Sequence, residues 1–111
     1  MSNVTAKLIY IGNDVNANVY QIPSNQTGVY TIIKGLNFCA PTANTTFSVH
    51  VLNTSGSTPT TSNIVLSNVS ITKDETIFYD TSILIAAGSA IHIIGSSSQP
   101  VTTMINGVEY S

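Results

Sequence analysis

Few side chains in this 111-residue sequence could do chemistry. Histidine occurs at His50 and His92, cysteine at Cys39, and carboxylates at Asp14, Asp74, Glu75, Asp80 and Glu109. A zinc-type site needs both histidines and a third donor in one place. No Cys/His cluster with ligand spacing occurs. Each histidine stands between apolar neighbours, in "FSVHVL" and "AIHII", so both are expected to point away from the core, onto a polar sheet face or an interface. Acid–base work needs two carboxylates held across a cleft with their pKa values driven apart. Asp74-Glu75 is the one adjacent pair, and within "ITKDET" it reads as a hairpin turn that points into water. Cys39 could in principle join a histidine as a nucleophile. Beside Phe38 and just ahead of Pro41, it reads instead as a small packing residue. The glycines are isolated, so there is no phosphate loop, and no serine sits in a nucleophile elbow. No catalytic, cofactor-binding or metal-ligating residue is assigned, and the chain is expected not to be an enzyme. The five tyrosines, Tyr10, Tyr20, Tyr30, Tyr79 and Tyr110, could supply an aromatic platform for sugars or could simply pack within strands.

Charge narrows the partners. Asp, Glu, Lys and Arg make up 7% of the chain, against about 25% in an ordinary soluble domain. Its cations are Lys7, Lys34 and Lys73, with no arginine. Nucleic-acid binding needs a cationic patch to displace counterions from phosphate, and three scattered lysines do not make one. The surface must be built from Ser, Thr and Asn, so copies can approach with little charge to desolvate. The longest apolar run, Ile83 to Ile94, is broken by Gly88 and Ser89 and falls well short of the roughly 20 residues of a membrane-spanning helix. "MSNVTAKLIY" has neither the basic start nor the apolar stretch of a signal peptide. The expectation is synthesis in a cytoplasm, with Cys39 reduced. Asn-x-Ser/Thr triplets begin at Asn3, Asn25, Asn44, Asn53 and Asn68. In so Asn-, Ser- and Thr-rich a chain they read as composition, not glycosylation.

The elements that must position these residues are short, β-branched and separated by turns. Strands are predicted over 5–11, 17–23, 29–40, 45–52, 63–71, 75–80, 82–88, 89–95 and 101–111. In "TTFSVHVL" Phe47, Val49 and Val51 face one way, Ser48 and His50 the other. "NTSGSTPTTS", 53–62, reads as a flexible surface loop. "ILIAAGSAIHII" reads as a hairpin turning at Gly88, with its isoleucines in the core. Eight or nine short strands with no helical period predict one all-β domain over 1–111, a single antiparallel β-sandwich of jelly-roll or Ig-like type.

The order of these segments resembles small β-sandwich structural proteins from the virions of tailed bacteriophages. The matching pieces are "VYQIPS" (Val19–Ser24), "IKGLNFCA" (Ile33–Ala40), "NVSITKDETIFYD" (Asn68–Asp80), "ILIAAGSAI" (Ile83–Ile91) and "MINGVEYS" (Met104–Ser111). Two turns depart from the pattern: Lys73-Asp74-Glu75 stands where Ala-Gly-Glu is usual, and Ser89 where an acid is usual. The resemblance implies a capsid-surface decoration (cement) protein of the virion. It would be a homo-oligomer such as a trimer, in contact with the major capsid protein and with no catalytic residues. The alternative is a tail-, neck- or fibre-associated module that binds host glycans.

Overall fold

The structure of the chain, a computed structural model, describes residues 4–13, 16–96 and 98–111. Asp14 and the triplet asparagine Asn3 lie outside them. Eight strands form: β1 (Val4–Gly12), β2 (Ala17–Gln21), β3 (Tyr30–Cys39), β4 (Thr45–Leu52), β5 (Ile64–Ile71), β6 (Thr76–Ala86), β7 (Ala90–Ile94) and β8 (Thr102–Tyr110). They make two four-stranded antiparallel sheets, ordered β1-β8-β3-β6 and β2-β7-β4-β5. First strand pairs with last, second with seventh, third with sixth and fourth with fifth. This is the pairing of one long hairpin rolled into a sandwich, the jelly roll.

The expected all-β antiparallel sandwich is therefore present, with eight strands. Two local expectations are corrected. Segments 75–80 and 82–88 are one strand, β6, which stays paired with β3 past a register shift at Thr81. There the Thr81 hydroxyl donates to the Ile33 carbonyl (2.9 Å) and holds the irregularity in place. The turns at Gly88 and at Lys73-Asp74 are real but close no hairpin, because each carries the chain from one sheet to the other. Gly88 has φ +87° and Asp74 φ 68°, the left-handed backbone such tight reversals require.

Alternation places the core. Ile33, Leu36 and Phe38 of β3, Phe47 and Val49 of β4, Ile85 of β6, Ile91 and Ile93 of β7 and Ile105 of β8 are almost wholly buried in one cluster. Phe38 stacks on Phe47 across the sandwich with ring centroids 4.1 Å apart. Full burial of each such side chain stabilises by about 1.5–3 kcal/mol. On β3 the inward set changes parity, from Thr31 and Ile33 to Leu36 and Phe38, across a bulge at Lys34-Gly35. A bulge inserts one residue, so both halves of the strand keep an apolar face toward the core. Gly107 lies opposite Ile33 on β8, and a Cβ there would run into the Ile32 carbonyl oxygen.

Candidate interaction surface

The outer face of the β1-β8-β3-β6 sheet is the most unusual surface of the molecule. Register places its side chains in rows across the four strands. One row is Ala6, Val108, Ile32 and Leu84; another is Ile11, Met104, Asn37 and Phe78. Val4, Tyr110, Tyr30 and Ala86 form a third. Val4, Leu8, Ile11, Tyr30, Phe78 and Leu84 are exposed, Phe78 by 56% and Leu84 by 59%. Strands about 4.8 Å apart, rising about 3.4 Å per residue, give a four-stranded face of this length an area of roughly 600 Å². Apolar side chains share that face with Asn37, Asn106, Lys34 and Asp80, and clusters of exposed large apolar residues of this kind commonly mark interfaces.

Charge on this face is sparse and unpaired. Lys34 Nζ is 3.5 Å from the Ser82 hydroxyl, and neither Lys34 nor Asp80 has an ion-pair partner among the described residues. Elsewhere Lys7 bonds Glu109 at 3.3 Å, and Lys73 lies 4.0 Å from Asp74. The sequence carried a signal for the face: β6, "TIFYDTSILIA", is apolar at both parities, so one set of its side chains had to point outward.

The tyrosines do not assemble into a platform. The Tyr20 hydroxyl is 2.7 Å from Thr31 Oγ1, and Tyr79 meets Phe38 edge-on at 6.0 Å. Tyr10 is packed against the core. Tyr30 and Tyr110 stack on each other, with centroids 4.8 Å apart and planes 11° from parallel, at one end of the apolar face.

The carboxylates are likewise dispersed. Asp74 and Glu75 build the turn between β5 and β6, where Glu75 Oε1 accepts the Thr72 N–H (2.9 Å) and the Asp74 N–H donates to the Ala40 carbonyl (2.7 Å). Cys39, at the end of β3, is half-buried and in the other sheet from both histidines. No group of three His, Cys, Asp or Glu side chains that could hold a metal occurs among the described residues.

The histidines are the residues that the fold unexpectedly brings together. His50 of β4 and His92 of β7 are direct cross-strand partners on the outer face of the second sheet. That face was expected to be a polar one or an interface, and on it His50 is only 5% exposed. The reason is the 53–62 loop. Its Ser55 N–H donates to the Gly88 carbonyl (2.7 Å), and its Ser55 carbonyl accepts from Asn18 Nδ2 on β2 (2.9 Å). The loop thus runs from the end of β4 past the β6–β7 turn to β2, across this end of the sheet. Burial, and secondarily the neighbouring His50, hold the His92 pKa below its ordinary 6.5.

The sequence matches no protein-family model and no curated protein. The fold resembles a chain in the crystal structure of the T13 particle of infectious bursal disease virus, with a TM-score of 0.53 and 14% identity. That likeness covers 98% of this chain and 30% of the viral one. A chain in the structure of the Gx strain of the same virus is similar, with a TM-score of 0.51, 10% identity, and coverage of 99% and 31%. This chain thus spans about a third of the length of the chains it resembles, and at such identity the likeness is one of fold.

Proposed function

We propose that this chain is a structural protein of a virus particle. In the reading best supported, it is a capsid-surface decoration (cement) protein of a tailed bacteriophage, acting through protein–protein contact without catalysis or a cofactor. The carrying observation is the bare apolar face of the β1-β8-β3-β6 sheet on a jelly roll. The occupant we assign to that face is a neighbouring protein subunit of the particle. Two features favour this partner over a small ligand or a membrane: the face is flat and sheet-built, and it bears the opposite, unpaired charges of Lys34 and Asp80. Further support comes from the virus-particle chains of the same fold and from the resemblance of the strand-and-turn order to phage virion proteins.

The test is co-sedimentation of the purified chain with particles assembled without it, followed by an image of the decorated particle. Saturable binding with regular surface density is the expected result. A chain that stays monomeric at high concentration and binds neither shells nor tails sinks the proposal. The tail- or fibre-associated glycan reading rests on the Tyr30–Tyr110 stack alone. A glycan array that responds to the wild-type chain but not to Tyr30→Ala would favour it over the cement reading.

A further inference from the structure

We propose that His50 and His92 form a binding site for a divalent late transition-metal ion, which they ligate through their Nε2 atoms on the outer face of the β2-β7-β4-β5 sheet. The site does not depend on the virion reading. It rests on three observations about the two rings.

The first is the tautomer. His50 Nδ1 lies 2.7 Å from Asn63 Oδ1, and His92 Nδ1 lies 2.7 Å from Asn18 Oδ1. Backbone groups fix both amides. Asn63 Oδ1 also accepts the Thr60 N–H (2.9 Å), and its Nδ2 donates to the Thr58 carbonyl (3.1 Å). Asn18 Nδ2 donates to the Ser55 carbonyl (2.9 Å). In each asparagine the oxygen must therefore face the imidazole as an acceptor, so each histidine donates from Nδ1. In the neutral ring the lone pair is then on Nε2. An imidazole that donates its other nitrogen to an oxygen is the arrangement that orients metal-binding histidines.

The second is direction. Across the sheet the order is Asn18 on β2, His92 on β7, His50 on β4, then Asn63 at the start of β5. The two asparagines draw the Nδ1 edges of the rings toward opposite sides of the sheet. In an imidazole, Nε2 lies on the flank opposite Nδ1, so the Nε2 edges lean toward each other. Directly opposed residues in an antiparallel pair have Cβ atoms about 4.5–5.5 Å apart, a span that one ion between two imidazoles can bridge.

The third is availability. Neither Nε2 has a hydrogen-bond partner among the described residues, and neither is among the sealed, unpartnered polar atoms, of which Thr103 Oγ1 is the one described. Two imidazoles fall short of the three protein ligands of an enzyme zinc site, so the ion would be held more weakly, with water in the remaining positions; nitrogen donors suit copper, nickel or zinc and do not suit magnesium or calcium.

The experiment uses the full chain, reduced and metal-free, titrated with Zn²⁺ by calorimetry near neutral pH. One Zn²⁺ should bind per chain, Cu²⁺ should bind more tightly, and Mg²⁺ should give no heat. His92→Gln, at a half-exposed position, should abolish saturable binding. Asn18→Ala keeps both ligands but frees His92, and should weaken binding by about 10- to 100-fold. Nitrogen NMR of the imidazoles should show Nε2 shifting with Zn²⁺ while Nδ1 stays protonated. Absence of saturable binding, undiminished binding by His92→Gln, or a shift at Nδ1 instead of Nε2 would each overturn the proposal. Should His92→Gln fail to fold, Asn18→Ala and the NMR assignment still decide.

Discussion

Replacing Phe78 and Leu84 together by serine separates an interface from a merely untidy surface. Both project from β6 on the outer face of the first sheet, 56% and 59% exposed. Complete burial of a Phe or Leu side chain stabilises by about 1.5–3 kcal/mol. Roughly half of that is still available to each when a partner covers the face. The pair should thus cost about 2–3 kcal/mol of binding, close to a hundredfold in Kd. Folding should be affected far less, by about 1 kcal/mol or below, since exposed positions contribute little to stability. Two assays run side by side: co-sedimentation with particles over a concentration series, and urea unfolding of the isolated chain. The reasoning predicts a large rightward shift in the first and nearly coincident curves in the second. If unfolding shifts strongly while particle binding is unchanged, the two side chains support the fold, and the interface lies elsewhere.

Other expectations follow from packing and titration. Phe38→Ala removes a ring with no exposure and its stacking on Phe47, and should lower stability by about 3–5 kcal/mol in urea unfolding. Gly107→Ala forces a methyl against the Ile32 carbonyl on the neighbouring strand, and should cost about 1–3 kcal/mol by the same measurement. The folded-state pKa of His92 lies below 6.5, so unfolding takes up a proton as the pH falls past that value. The stability from its neutral state is full above 6.5, is lost as pH drops toward the folded pKa, and changes no further below it. Metal-free urea midpoints should show this slope, and His92→Gln should remove its share. Replacing residues 54–62 by a short glycine linker should leave the sandwich folded, because none of them belongs to the core cluster, while exposing the His50 ring to solvent exchange. Loss of the cooperative unfolding transition would instead make the loop part of the fold.

Strand positions were legible because period-2 alternation is local. Phe47 and Val49 of β4 and Ile91 and Ile93 of β7 announced their faces by spacing alone. What failed was whatever depends on pairing. The turns at Gly88 and Asp74 looked like hairpins because left-handed turn chemistry is the same whether the next strand joins its own sheet or the opposite one. The bulge at Lys34-Gly35 was hidden because alternation resumes on either side of it with its parity changed. The outward side of both histidines was legible from alternation, but two facts about them were not. The opposition of His50 and His92 is a register fact, and the burial of His50 is due to a loop whose Ser/Thr composition promised only solvent. The loop is held by backbone hydrogen bonds and by asparagine amides, and such bonds leave no hydrophobic pattern in a sequence.

The two outer faces of the sandwich show what the shortage of charge means. An antiparallel sheet with one face in water ordinarily alternates apolar with polar residues and studs its outer face and edges with lysine and glutamate to prevent association. Here the second sheet has the 53–62 loop bonded across one end, from Gly88 to Asn18, and its His50 is nearly buried. The first sheet has no such loop among the described residues, and its outer residues include Leu8, Ile11, Phe78 and Leu84, with Asn37, Asn106, Lys34 and Asp80 between them. Two of the three lysines are used elsewhere, Lys7 against Glu109 and Lys73 beside Asp74. The low charge and the bare sheet are thus one property seen twice. Charged residues that would keep this face apart from other proteins are few, which is what the proposed interface expects.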